Sequence, residues 1–397
     1  MDTITHGIAG ALIGKAVFHG DDLFAFRPMN RQRVVTWSLM LGAIFPDSDV
    51  IRDIFSHDKL LMITWHRSIT HSLILLPLWA LLLAAITRAF TNWRKWEAPS
   101  FAALSAIYAV GILSHILMDL ITSFGTMIWS PVKWSRPAWD LIFIVDFSLS
   151  AILLVPQLLA WAYSQPEKMR RRVIALWLIL TPVPFLIARL GENVGAPISD
   201  RVVLILVVVL TAILLLPARR GLGFKIPYRQ WNRAGLAAAL IYIALSVSNH
   251  RVALARINKF AELYHLQVQS IGALPLPPSL WNWDGLVRTD HGVFELRMDV
   301  SQKPSSDSEL LAQEHRYYPD APPNSYIDAA RRLPEVQKVL WFARFPVTQF
   351  HKEGDDAIVE ISDARFPRTR PGRPPSFTYR VRFSSDGKVA SQGWVTR

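Results

Sequence analysis

Residues 101–124 read FAALSAIYAVGILSHILMDLITSF, an apolar run with two ionisable residues, His115 and Asp119, inside it. About 20 apolar residues cross a bilayer as a helix, and an ionised carboxylate at the centre of such a helix costs about 2.5 to 3.5 kcal/mol on insertion scales. A separation of four puts His115 and Asp119 on one face, about one turn apart. That spacing suits two ligands of one ion, a ligand with its orienting neighbour, or a His–Asp hydrogen bond that pins helices together.

Outward from this segment the pattern repeats. Further apolar stretches fall at 3–18, 34–55, 69–90, 138–163, 173–190, 201–217 and 234–249, giving about eight expected spans, of which 3–18 and 201–217 are the shortest. Stretch 3–18 lacks a basic leader and a small-residue cleavage site and is expected to stay in the mature chain. The composition agrees, with 51% apolar residues and a mean hydropathy of +0.23. The expected fold is an all-α polytopic membrane domain over 1–250, followed by a small α+β domain over 251–397.

Charge sets the expected orientation. Residues 1–250 hold 23 Lys and Arg against 14 Asp and Glu, whereas 251–397 hold 20 against 17, so most of the net +12 lies in the membrane part. Alternate loops carry it: Arg27, Arg31 and Arg33; Arg88, Arg94 and Lys95; Lys168 and Arg170 to Arg172; then Arg219, Arg220, Lys225, Arg229 and Arg233. Basic loops flanking spans face the cytoplasm, which places the protein in the inner (plasma) membrane with residues 251–397 extracytoplasmic. The same distribution explains the positive charge without nucleic acid, and none is expected as a partner. The chain has no cysteine, so a metal here is held by nitrogen and oxygen.

Of nine unusual residues, this topology gathers Asp47, Asp49, His66, His71, His115, Asp119, Asp140 and Asp146 toward the outer face, and His6 joins them if stretch 3–18 crosses the membrane. Five unpaired buried carboxylates would cost roughly 12 to 18 kcal/mol, and a divalent metal would remove that cost. Pro46 biases Phe45 away from helix, so Asp47 and Asp49 fit a locally unwound span, although a solvated helix terminus would show the same pattern. His66 and His71 flank Ser68 and Thr70 at a helix entry. Asp140 and Asp146, six apart, do not share an ion unless the helix begins after Asp140. Asp146 sits among Ile142, Phe143, Ile144 and Val145 and is the better candidate.

In 251–397, Leu274-Pro275-Leu276-Pro277-Pro278 breaks the apolar pattern. Residues 283–300 read as two strands around Asp290-His291-Gly292, 377–395 as a hairpin around Ser385-Asp386-Gly387, 325–342 as a helix and 347–366 as further strand. Residues 368–375 read as an exposed Pro and Arg loop.

Four segments carry a resemblance: Thr5-His6-Gly7, Gly42-Ala43-Ile44-Phe45-Pro46-Asp47-Ser48-Asp49, His66-Arg67-Ser68-Ile69-Thr70-His71-Ser72, and Ser114-His115-Ile116-Leu117-Met118-Asp119 running on to Thr122-Ser123-Phe124-Gly125-Thr126. In this order they resemble the YdjM-like family of inner-membrane, metal-dependent hydrolases, also described as LexA-binding, over about residues 1–180. A looser likeness to zinc-dependent phospholipases C implies phosphoester hydrolysis. The expected function is therefore a membrane-bound hydrolase acting through a metal-activated water on a phosphoester, membrane lipid or lipid-linked substrate. Zinc is the expected metal. His71, His115 and Asp119 are its first expected ligands, with His6, His66, Asp49 and Asp146 next; Asp47 or Asp49 takes the proton, and Arg67 holds an anionic group of the substrate. Two other readings use the same residues: a cation or proton transporter, and a closed structural metal site.

Overall fold

Helices form at each of the eight apolar stretches, but not all are of spanning length. In the computed structural model, which describes residues 1–21, 29–56, 60–193, 199–277, 279–366 and 375–395, five helices are long and apolar enough to cross a membrane: Arg31–Arg52, Phe101–Leu120, Pro166–Arg189, Asp200–Arg219 and Tyr228–Leu263. A sixth span results if Leu61–His71 and Leu76–Trp93, bent by 72°, count as one. Helices Thr3–Ala16 and Phe147–Ala162 have 14 and 16 residues. Arg27 and the proposed loop 368–375, except Pro375, lie outside the described residues.

Local chemistry explains the short helices. Ser72 Oγ accepts from the N–H groups of Ile74 and Leu75 and Pro77 opens the next helix, so the 69–90 stretch breaks after His71 instead of running straight. The 138–163 stretch is helical only from Phe147, where Asp146 accepts the Leu149 N–H at 3.0 Å. After Pro46 the second span tightens into the 3-10 turn Phe45–Asp49, as expected for a proline that removes a backbone donor.

The chain separates into two compact units. The first comprises Met1–Pro46, Thr70–Met118 and Val145–Ile243, and the second Asp47–Ile69, Asp119–Ile144 and Ala244–Arg397. The expected boundary at 250 falls inside the 36-residue helix Tyr228–Leu263. At 1.5 Å per residue that helix is about 54 Å long, well beyond a hydrocarbon core of about 30 Å. Its far end buries Ala253, Ile257 and Phe260 against Trp283 and Leu296 of the first sheet.

In the second unit, residues 270–395 form two four-stranded antiparallel sheets. One runs Ser270–Pro275, Asn282–Thr289, Gly292–Asp299, His315–Pro319; the other Pro346–Glu353, Asp356–Asp363, Tyr379–Phe383, Val389–Trp394. Both expected hairpins are present. The expected helix 325–342 is two, Ser325–Arg331 and Pro334–Phe342, because Pro334 starts a new helix. The strand expected at 347–366 is likewise a hairpin, turning at Gly354 with φ +63°. Strands Ser270–Pro275 and His315–Pro319 escape the sequence reading, since prolines at their ends mask them.

Candidate metal centre

Small residues decide how closely the histidine-bearing helices approach. A Cβ at Gly10 would lie 2.6 Å from the Leu39 carbonyl oxygen, and one at Gly111 would lie 2.8 Å from the same atom. Glycine at both positions lets Thr3–Ala16 and Phe101–Leu120 each meet Arg31–Ile44 backbone to backbone. His115 Nδ1 thereby comes 2.6 Å from the Ala43 carbonyl oxygen, and His6 stacks on the His115 ring with centroids 3.6 Å apart.

A ring nitrogen facing a carbonyl is the donor, so the neutral His115 ring carries its lone pair on Nε2. That atom faces His71 Nε2 at 3.0 Å, and both rings are buried. His71 Nδ1 is 3.1 Å from Thr70 Oγ1. With Thr70 Oγ1 donating to Nδ1, His71 Nε2–H donates to His115 in an N–H···N bond; with Nδ1 donating instead, two lone pairs face each other and can share a cation. A histidine whose second nitrogen donates to a backbone carbonyl is supported as metal-ligating histidines are.

Asp119 follows His115 by one turn, and Asp47 sits in the turn created by Pro46. Asp47, His71, His115 and Asp119 each offer one ligand atom, all within 4.8 Å of one another. Two carboxylates and two neutral imidazoles balance the charge of a divalent ion, and four nitrogen and oxygen donors match zinc's preferred number. The residues present fit such an ion.

The remaining candidates have other partners. Asp49 Oδ1 is 2.9 Å from His66 Nδ1, while its Oδ2 accepts the Arg67 N–H at 2.9 Å. The two thus brace a turn in which Arg67 has φ +62°. Arg67, 2% exposed, places Nη2 3.0 Å from Asp119 Oδ1 and donates through Nη1 to Thr122 Oγ1 at 3.1 Å. The fork expected to hold a substrate anion is engaged with the Asp119 carboxylate. Asp146 caps its helix and accepts the Tyr242 hydroxyl at 2.8 Å. Asp140, at φ +55°, takes both Nη atoms of Arg344 at 2.9 and 2.8 Å.

The sequence reading passes over Arg136, yet it ties segments of the second unit together. Its Nη1 donates to the carbonyls of Ile63 (2.8 Å) and His66 (3.3 Å), and its Nη2 to Gly125 (3.1 Å). Burial, with the charges of Arg67 and Arg365, pushes its pKa down to about 9. Nothing in the local sequence marks it, because the groups it serves are carbonyls, two of them some 70 residues away.

A helical membrane chain with two buried imidazoles facing each other and two carboxylates beside them defines a polytopic membrane protein with a candidate metal centre. Residues 1–193 match the family described as YdjM inner membrane protein. Asp47, His71, His115 and Asp119 all lie within the matched residues. No curated protein and no solved structure matches the chain.

Proposed function

We propose that the protein is a metal-dependent hydrolase of the inner membrane, with zinc at Asp47, His71, His115 and Asp119 and a phosphoester or lipid-linked substrate. The observation that carries this reading is the 3.0 Å approach of His71 and His115 Nε2, with His115 Nδ1 committed to the Ala43 carbonyl. When bound, a divalent ion supplies Lewis acidity and lowers the pKa of water. The chain's own residues do the rest. Asp47 is the least buried of the four and stands where substrate and water enter. His66, oriented by the Asp49 carboxylate as bases commonly are, accepts and returns the proton. Arg67 holds Asp119 in register instead of gripping the substrate.

Replacing Asp49 with Asn keeps an acceptor for the Arg67 N–H but removes the carboxylate that orients His66. On a panel of phosphoesters and lipid-linked substrates, Asp49→Asn is expected to lose about 10²- to 10⁴-fold in turnover while retaining its metal; Asp47→Asn is expected to lose both. Full activity in both variants, or none in wild type on any substrate, counts against hydrolysis.

The finer topology belongs to the same proposal: eight crossings, counting the short helices Thr3–Ala16 and Phe147–Ala162, with residues 251–397 outside. The charge asymmetry of the loops supports it. Residues 47–69 and 119–144 also share a compact unit with the C-terminal part, which agrees with loops and domain lying in one compartment. A reporter active only outside the cytoplasm is expected to work when fused after Arg397 and to fail within 168–172. The reverse result would invert the topology.

A further inference from the structure

The C-terminal part lies outside the family match, which ends at residue 193, yet it forms one compact unit with Asp47, Arg67 and Asp119. Its contacts include the segment that follows Asp119. Arg365, 7% exposed, is held by Asp363 at 2.8 Å and donates through Nη1 to the Ser123 carbonyl at 2.8 Å and through Nη2 to the Phe342 carbonyl at 2.7 Å. Phe124 packs against Phe342, Phe366 and Phe377 with centroids 5.3, 6.4 and 6.2 Å away. On the Phe124 ring stands the guanidinium of Arg67, 5.1 Å from the centroid, and Arg67 in turn holds Asp119. Further along, Arg344 takes Asp140 in two parallel bonds, and Ser279 Oγ accepts the Phe143 N–H at 3.1 Å.

We propose that the C-terminal domain is a scaffold for the acidic half of the metal centre, with Arg365 and Phe342 as positioning residues that set Asp119 through Ser123, Phe124 and Arg67. This rests on the metal reading given above. The physical reason is that a polar turn carrying a buried arginine needs both its carbonyls and its aromatic support satisfied. Arg365 supplies the donor at Ser123, and Phe342, Phe366 and Phe377 add C-terminal rings to the His66 and Arg136 contacts that Phe124 has within the matched region.

The test uses the full-length protein with cobalt(II), whose visible bands report ligand geometry. Arg365→Ala and Phe342→Ala are expected to weaken cobalt binding at least tenfold and to alter the band intensities, and Arg365→Lys to restore part of both. Arg380→Ala removes a pair with Glu360 within the second sheet and is expected to change neither. Hydrogen exchange over 119–128 is expected to accelerate at least tenfold in Arg365→Ala and Phe342→Ala alone. Wild-type cobalt affinity, spectrum and exchange in both variants would overturn the proposal. If wild type binds no cobalt, the metal reading falls, and exchange over 119–128 still decides the scaffold: unchanged rates overturn it, faster rates support it. Should Arg365→Ala fail to fold, Arg365→Lys and Phe342→Leu carry the same comparison, with intermediate losses expected and wild-type behaviour in both overturning it.

Discussion

Purified wild-type protein is expected to carry a divalent metal that His115→Ala reduces to less than a tenth of its occupancy. The ring removed is the one whose Nδ1 is spent on Ala43 and whose Nε2 faces His71, so one of the four grouped donors is lost. Asp119 needs a more careful variant. Its carboxylate also neutralises Arg67, which is 2% exposed, and leaving a buried charge unpaired costs about 3 to 5 kcal/mol. Asp119→Ala is therefore expected to lose metal and stability together. Adding Arg67→Met removes the orphaned charge, and the double variant should recover much of the stability without recovering the metal. Elemental analysis beside thermal unfolding of both variants separates the two roles. Metal retained in the double variant would show that Asp119 serves only the ion pair.

The second large effect lies in the first sheet of the C-terminal part. Asp284, in strand Asn282–Thr289, is 4% exposed. Burial, and then the negative charge of Glu295, raises its pKa to about 7, with Arg297 at 3.6 Å opposing the shift. Glu295 accepts the Tyr318 hydroxyl, whose own pKa burial and Glu295 push up to about 12. For a carboxyl group whose folded pKa lies above its unfolded value of 3.8, the neutral form is the one the fold favours. Its stabilising contribution is complete below the unfolded pKa and is lost as the pH rises to about 7. Asp284→Asn keeps the shape and discards the charge. It is expected to stabilise the C-terminal sheets at pH 8 by on the order of a few kcal/mol and to do almost nothing at pH 4. Thermal unfolding of both proteins across this range checks it; a pH-independent difference between them would count against the buried-charge explanation.

Some of this was legible in the chain alone. Apolar runs of spanning length demand helices, because a backbone in hydrocarbon must satisfy its own hydrogen bonds, and His115 with Asp119 declares a shared face through helical spacing and apolar surroundings. Alternation around Asp290-His291-Gly292 and Ser385-Asp386-Gly387 likewise announces two hairpins. What periodicity reports, however, is which face of an element is buried and not which other face it meets. Nine ionisable residues in apolar stretches pose one problem, the cost of burying charge, and the tertiary structure answers it in several ways. Asp49 pairs with His66, 17 residues away; Asp146 with Tyr242, 96 away; Asp140 with Arg344, 204 away. Among the described residues, Asp47, His71, His115 and Asp119 form the group of at least three within ligand distance of one another. The residues that gather them, Gly10 and Gly111 by permitting backbone contact and Arg67 by holding Asp119, act through atoms brought close only when the helices pack. The sequence determined that buried charges had to be compensated, and the packing decided which of them faced each other.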